Sequence, residues 1–199
     1  NEEGGTYKQA LELLYAFSYA VKMSKMGEWQ PEGYFDFVVP PLEGFWWNNE
    51  SGAFDGTGIA DKSSLMWISL IRQPDFVNPK VFEHVCSVVI DKKPELETAI
   101  RFGSLRLVRF SEGPCAQVMH VGPYDYEPAT IAGLEEFIAS QGLRLDIAEG
   151  NKPSPQEILE TFDCGGAIPQ TRLHHEIYLG DPRRTKPENL KTIIRHPVA

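Results

Sequence analysis

The sequence predicts an α+β fold assembled from two similar halves. Apolar residues recur at helical spacing over 7–24 and again over 128–141, whereas residues 65–72, 105–110, 115–121 and 173–179 have the composition of strands. Each half, 1–103 and 104–199, passes through a helix, an extended segment, a variable excursion and a closing strand. The likeness of Ala10-Leu11-Glu12-Leu13-Leu14 to Ile131-Ala132-Gly133-Leu134-Glu135 is suggestive of a duplication without proving one.

Thr6-Tyr7-Lys8-Gln9 reads as a capping box, in which hydroxyl and amide satisfy free N–H groups at a helix start. Tyr7, Ala10, Leu11, Leu14, Phe17, Ser18 and Val21 then form one face of a helix over 7–24, ended by Gly27 and Pro31. Residues 34–39 read as a strand closed by Pro40-Pro41. The polar, Gly-rich stretch 48–63 matches no phosphate-binding fingerprint and reads as a loop. Leu65 to Arg72 is the next strand. Asn78-Pro79 opens a helix carrying Val81, Phe82, Val85, Val88 and Val89, and a short helix runs from Pro94 to Phe102, stopped by Gly103. In the second half, 105–110 and 115–121 form a plausible hairpin. The helix over 128–141 presents Ile131, Leu134 and Ile138, with Gly142 as its stop, and a strand is expected near 143–148. Ser154-Pro155-Gln156-Glu157 is a second capping box, and Thr185-Lys186-Pro187-Glu188 predicts a last short helix to about Ile193.

Composition narrows the function. In 199 residues, 42% hydrophobic and 24% charged describe an ordinary globular chain. A net charge of −9 argues against nucleic acid as a partner, because phosphate binding needs clustered Lys and Arg. The sequence has no apolar run of membrane-span length and no signal-peptide pattern at its start. Cys86, Cys115 and Cys164 are odd in number and lack metal-type spacing, so a reduced, cytoplasmic setting is expected. A monomer or weak homo-oligomer is expected.

Leu173 to Leu179 holds the candidate chemistry. Side chains alternate along a strand, so His174, Glu176 and Tyr178 share one face. Glu176 is either a solvated surface acid or a buried one that must be neutralised or paired. Phe45-Trp46-Trp47 cannot all face one core, so at least one ring points elsewhere. Trp67 is either a core residue or a wall of a binding groove. His174, His175 and His120 lack the spacing of a metal site, and no metal or organic cofactor is expected. Cys115 and His120, five apart on a strand, point to opposite faces and make no nucleophile pair. Glu135 and Glu136 read as surface charges.

Four stretches carry a family resemblance: Val39-Pro40-Pro41-Leu42-Glu43-Gly44-Phe45-Trp46-Trp47, Ile71-Arg72-Gln73-Pro74-Asp75-Phe76, His120-Val121-Gly122-Pro123-Tyr124 and His175-Glu176-Ile177-Tyr178-Leu179-Gly180-Asp181-Pro182-Arg183-Arg184. In this order they resemble the GyrI-like small-molecule-binding proteins, above all the stand-alone cyclopropanoid cyclopropyl hydrolases. The resemblance implies two fused strand-helix-strand-strand modules whose antiparallel sheets form a ligand groove. It also implies a strand before the first helix, so either the first unit lacks one or residues precede Asn1. The long 150–170 stretch reads as a lid.

That resemblance points to a planar aromatic compound or drug as the ligand. One activity it implies is hydrolysis of the cyclopropane ring of yatakemycin-type DNA-alkylating agents, with Glu176 activating water. Tyr124 is then either a partner that positions water or steadies the developing oxyanion, or simply a turn tyrosine. Phe45, Trp46, Trp47, Trp67, Tyr126, Tyr178 and His120 are the expected substrate contacts. The alternative activity is multidrug binding or effector sensing, with Glu176 as countercharge to a cationic ligand.

Overall fold

The computed structural model describes residues 6–48, 54–57, 65–149 and 154–199. Their packing divides the chain into two units that interleave along the sequence, Asn1–Pro40 with Ser69–Leu107 and Pro41–Ile68 with Val108–Ala199.

The first unit is mainly helical. Helix α1 (Thr6–Met23) buries Leu13, Phe17, Ser18 and Val21, the stripe its periodicity sets out. Helix α2 (Pro79–Lys92) starts where expected: the Asn78 side chain accepts from the Val81 amide, with Pro79 in the first turn. Val81, Val85, Cys86 and Val89 on its inner face meet the α1 stripe, with Leu96 and Leu105 completing the core. A short helix α3 (Glu97–Arg101) follows the turn Pro94–Leu96. Residues 34–39 are extended but belong to no strand. The Phe37 carbonyl accepts from Lys22 Nζ, and Pro40-Pro41 offers no N–H donors, so no ladder can propagate there. The rings of Tyr34, Phe35 and Phe37 cluster on Phe76 instead.

The second unit carries all of the sheet that positions the site except residues 69–71. Strands β1 (Leu42–Asn48), β2 (Leu65–Ile71), β3 (Cys115–Val121), β4 (His174–Tyr178) and β5 (Lys191–Pro197) form one open sheet in the order β2-β1-β4-β5-β3. The fold is thus α+β. Strand β4 pairs antiparallel with β1, setting Gly44 opposite Glu176, and with β5, setting Ile194 opposite Glu176. Strand β3 pairs antiparallel with β5, Val118 opposite Ile194 and His120 opposite Thr192. Opposed residues share a face. One face therefore carries Gly44 and Trp46, then His174, Glu176 and Tyr178, then Thr192, Ile194 and His196. The reverse face carries Glu43, Phe45 and Trp47, His175 and Ile177, and Ile193 and Arg195.

Helix α4 (Glu127–Ser140) lies on the Glu176 face, its Ile131, Leu134 and Ile138 packed with Ile194 and Val198 and with Ala116 and Val118 of β3. Helix α5 (Pro155–Phe162) has the expected capping box, Ser154 accepting from the Glu157 amide while Glu157 accepts from the Ser154 amide.

Three further elements differ from expectation. Residues 105–110 do not pair with β3, because their backbone bonds elsewhere: Gly166 N–H donates to the Arg109 carbonyl at 2.7 Å and Ser111 N–H to that of Ala167 at 2.9 Å. Residues 143–148 make a single bridge, Leu145 to Val198, rather than a strand. The last helix is only a turn, Pro187–Asn189, before β5. Thr192, Ile193 and Ile194 are β-branched and bury alternately, the period of a strand and not of a helix.

Candidate active site

Strand alternation brings the candidate acid to the centre of the sheet. The Glu176 side chain is 13% exposed, and both of its oxygens are engaged. Tyr178 donates its hydroxyl to Oε2 at 2.6 Å, and His174 Nε2 lies 2.8 Å from Oε1. Trp46 Nε1–H in turn donates to the Tyr178 oxygen at 2.7 Å. Burial by itself would raise the Glu176 pKa, but the bonds from His174 and Tyr178 outweigh it and hold the group below the usual carboxylate range. Glu176 is thus a buried anion.

A second carboxyl group lies close enough to feel that charge. Glu127, in the first turn of α4, is 6% exposed, and its Oε1 has no hydrogen-bond partner among the described residues. Burial, then repulsion from Glu176 and Asp125, pushes it up to about 8 against the opposing bond to Thr192. At neutral pH one carboxyl of the pair is ionised and the other protonated. Environments that drive two acids apart in this way mark acid and base assignments.

Two histidines stand behind Glu176. His174 Nδ1 is 2.9 Å from His196 Nε2, which is also 3.1 Å from the Asp55 carbonyl. Burial first, then the neighbouring His174, push His196 down to about 4. Gly56 lets residues 54–57 approach this pair. Its φ of +96° suits glycine, and a Cβ there would stand 2.6 Å from His174 Cε1. Gly44 does the same for Trp46, since a Cβ would lie 2.8 Å from the indole nitrogen.

The aromatic candidates divide between the faces. Trp46, Tyr178 and Tyr124 gather at Glu176, the Tyr124 ring standing edge-on to Tyr178 at 6.2 Å. Phe45 and Trp47 point to the reverse face. There Phe45 stacks on His175 at 4.2 Å and meets Phe162 at 4.9 Å, and Trp47 is fully buried. Trp67 is half-buried on β2, an edge strand, and Tyr126 is 69% exposed on the turn before α4. His120 shares the Glu176 face but spends both nitrogens on its own chain, Nε2 on the Pro123 carbonyl at 3.1 Å and Nδ1 on Thr130 at 2.8 Å. A carbonyl only accepts, so Nε2 carries the hydrogen and Thr130 donates to Nδ1. His120 thereby ties down the start of α4, which carries Glu127. Phe162 of α5 packs against Phe45 and Phe110, so α5 lies against the reverse face rather than lidding Glu176. Residues 150–153 of the expected lid lie outside the described residues.

The reverse face has its own charge cluster. His175 sits 3.0 Å from Glu43 and 2.9 Å from Glu112, which also pairs with Arg195 at 2.9 Å. Burial opposes a charge on His175, yet the two acids hold its pKa above the ordinary value. A shallow cavity lined by Phe45, Phe110, Glu112, Phe162 and Arg172 opens there. The one carboxylate among these lining residues, Glu112, is held by His175 and Arg195.

Glu127, His196, Thr192 and Gly44 are site residues that sequence reasoning missed. Glu127 precedes Pro128 at a helix start, where an acid is favoured by the helix dipole alone, so nothing local distinguishes it.

No family model matches the sequence, and no curated protein matches it. Solved structures do. An uncharacterized conserved protein from Listeria innocua is 44% identical with a TM-score of 0.78, over 98% of this chain and 81% of that one. A protein from the same organism named as a hydrolase is 43% identical with a TM-score of 0.75, over 98% and 81%. A further Listeria innocua structure named as a hydrolase is 43% identical with a TM-score of 0.75, over 98% and 82%. With identity at this level along nearly its whole length, the chain belongs to the same family as these Listeria innocua proteins.

Proposed function

We propose that the protein is a hydrolase acting by acid–base catalysis, with Glu176 as general base and Glu127 as general acid. The observation carrying this reading is a pair of buried carboxyl groups, Glu176 held by His174 and Tyr178 and Glu127 with an oxygen unpartnered among the described residues, with Trp46, Tyr178 and Tyr124 gathered at Glu176. The hydrolase names of two relatives support the class.

The GyrI-like motifs suggest the substrate: a planar aromatic compound bearing a cyclopropane conjugated to a dienone, as in yatakemycin-type agents. Glu176 takes a proton from water while the water oxygen bonds to the ring methylene. The cyclopropane C–C bond breaks, its electron pair flows into the dienone, and the carbonyl oxygen becomes a phenol as Glu127 donates its proton. Water has then been added across the bond, and transfer of the proton from Glu176 back to Glu127 resets the pair. Trp46 and Tyr178 supply ring faces and edges for stacking, each contact worth about 1 kcal/mol beyond burial. Tyr124, standing against Tyr178, steadies the ligand or its developing oxyanion.

The test is incubation with a yatakemycin-type compound and mass spectrometry for the ring-opened hydrate. Glu176→Gln should retain binding and lose turnover by roughly 10²–10⁴-fold. A second reading, capture of a planar cationic drug without turnover, is favoured by the anionic state of Glu176 beside aromatic rings. Stoichiometric binding with no hydrate would select it over hydrolysis.

A further inference from the structure

We infer that His196 is a positioning residue which, anchored by the Asp55 backbone carbonyl, locks His174 in the tautomer that presents Nε2–H to Glu176. The argument is one of donors and acceptors. A carbonyl oxygen only accepts, so the contact from Asp55 at 3.1 Å requires hydrogen on His196 Nε2. That same hydrogen faces His174 Nδ1 at 2.9 Å, which must then be the bare nitrogen. His174 is left with its hydrogen on Nε2, 2.8 Å from Glu176 Oε1. A line thus runs from a backbone group to the proposed base, the His196 hydrogen shared between the Asp55 carbonyl and His174 Nδ1 and the His174 hydrogen given to Glu176.

The rest of the neighbourhood fits the lock. His174 and His196 are fully buried, so solvent cannot substitute for either bond. Thr57 donates through both its amide and its hydroxyl to the Asp55 carboxylate at 2.7 Å, a local turn that holds the segment carrying the carbonyl. Phe54 meets the His174 ring edge-on at 5.8 Å, and Gly56 abuts it. The depressed pKa of His196 keeps it from acquiring a second hydrogen near neutral pH. The other groups acting on this line are Glu127 from α4, Tyr178 on β4, His175 on the reverse face and the Asp55 carboxylate beside His196. With the lock removed, His174 can move its hydrogen to Nδ1 and aim a lone pair at Glu176, which then binds protons more readily. The tautomer itself does not depend on hydrolysis; its catalytic consequence rests on the base role proposed for Glu176.

The experiment is nitrogen-15 NMR of the full chain, with the Glu176 titration followed by carboxyl carbon shifts. Wild-type His174 should show a protonated Nε2 and a bare Nδ1. His196→Phe, which fills the space without a donor, should raise the Glu176 midpoint by about one unit, a tenfold change in proton affinity. It should also shift the acid limb of any hydrolysis profile upward by the same amount. His196→Gln, whose amide can reproduce the Nε2–H, should restore both towards wild type. A wild-type His174 bearing its hydrogen on Nδ1 overturns the inference, and this reading stands even if the Phe variant fails to fold. A folded His196→Phe with an unmoved Glu176 midpoint overturns it too. The expected tautomer and midpoint shift in a protein that forms no hydrate would support the lock and sink the hydrolase reading instead.

Discussion

Glu127 and Glu176 are the same residue type with opposite ionisation, and the difference lies in their neighbours. Glu176 receives hydrogen bonds from His174 and Tyr178, whereas Glu127 has one oxygen without a partner among the described residues and an anion nearby. This asymmetry has a thermodynamic cost. A carboxyl whose folded pKa is about 8 against 4.5 binds more protons folded than unfolded between those values, so stability falls as pH rises through that window. Well above pH 8 the loss is roughly 5 kcal/mol by linkage. Glu127→Gln should therefore raise the urea midpoint at pH 9, have little effect near pH 4.5, and slow hydrolysis. Urea melts at the two pH values check the first two outcomes and hydrate formation the third; a variant less stable at pH 9 would contradict this account. A stabilising substitution that costs activity is the pattern of a strained functional group. Glu176 was identifiable as a candidate from strand alternation. Glu127 was not, because an acid in the first turn of a helix has an ordinary explanation.

At the level of elements, β1 shows how backbone and site are joined. Gly44 lies opposite Glu176, and its missing side chain leaves room for the Trp46 indole that holds Tyr178. Gly44→Ala should push that indole away, weakening the bond to Tyr178 and through it the hold on Glu176. Turnover is expected to fall about tenfold with a stability loss of about 1–2 kcal/mol, as for other small-to-large changes in packed sites. Tryptophan fluorescence together with hydrate formation reads this out, and an unchanged spectrum with full activity would contradict it. Helices α1, α2 and α4 were legible because their stripes and the Asn78 cap are local signals. Strand β5 was not, because Pro187-Glu188 looks like a helix start and only pairing with both β4 and β3 selects the extended form. Residues 105–110 show the converse: strand-like in composition, they bond instead to the loop after α5.

Over the whole molecule, the ionisable groups set opposing slopes of stability against pH. His196, lowered to about 4, makes the folded state less favourable as pH falls from 6.5 towards 4. Glu127 acts in the opposite sense from 4.5 to about 8, so the two partly offset between pH 4.5 and 6.5. Glu176 and Glu112, both lowered, contribute stability above pH 4.5 that is lost as pH falls through their folded values. His175, raised by Glu112 and Glu43 against burial, contributes below pH 6.5 and loses that contribution as pH rises through its folded value. Urea midpoints from pH 3 to 9 should accordingly show a plateau between about 4.5 and 6.5, falling away on both sides. A midpoint still rising at pH 8 would show that these groups do not govern it.

Periodicity, caps and turn residues determined the helices, the strand character of 65–72 and 173–179, and the placing of His174, Glu176 and Tyr178 on one face. Those are properties of a chain's own repeat, readable without neighbours. Only the tertiary structure decided that Trp46 joins Glu176 while Phe45 and Trp47 do not, that α4 brings a second acid to the same face, and that His196 backs His174. Each of these depends on strand register and on the desolvation and charge that distant residues impose, and neither register nor dielectric surroundings is encoded in local spacing.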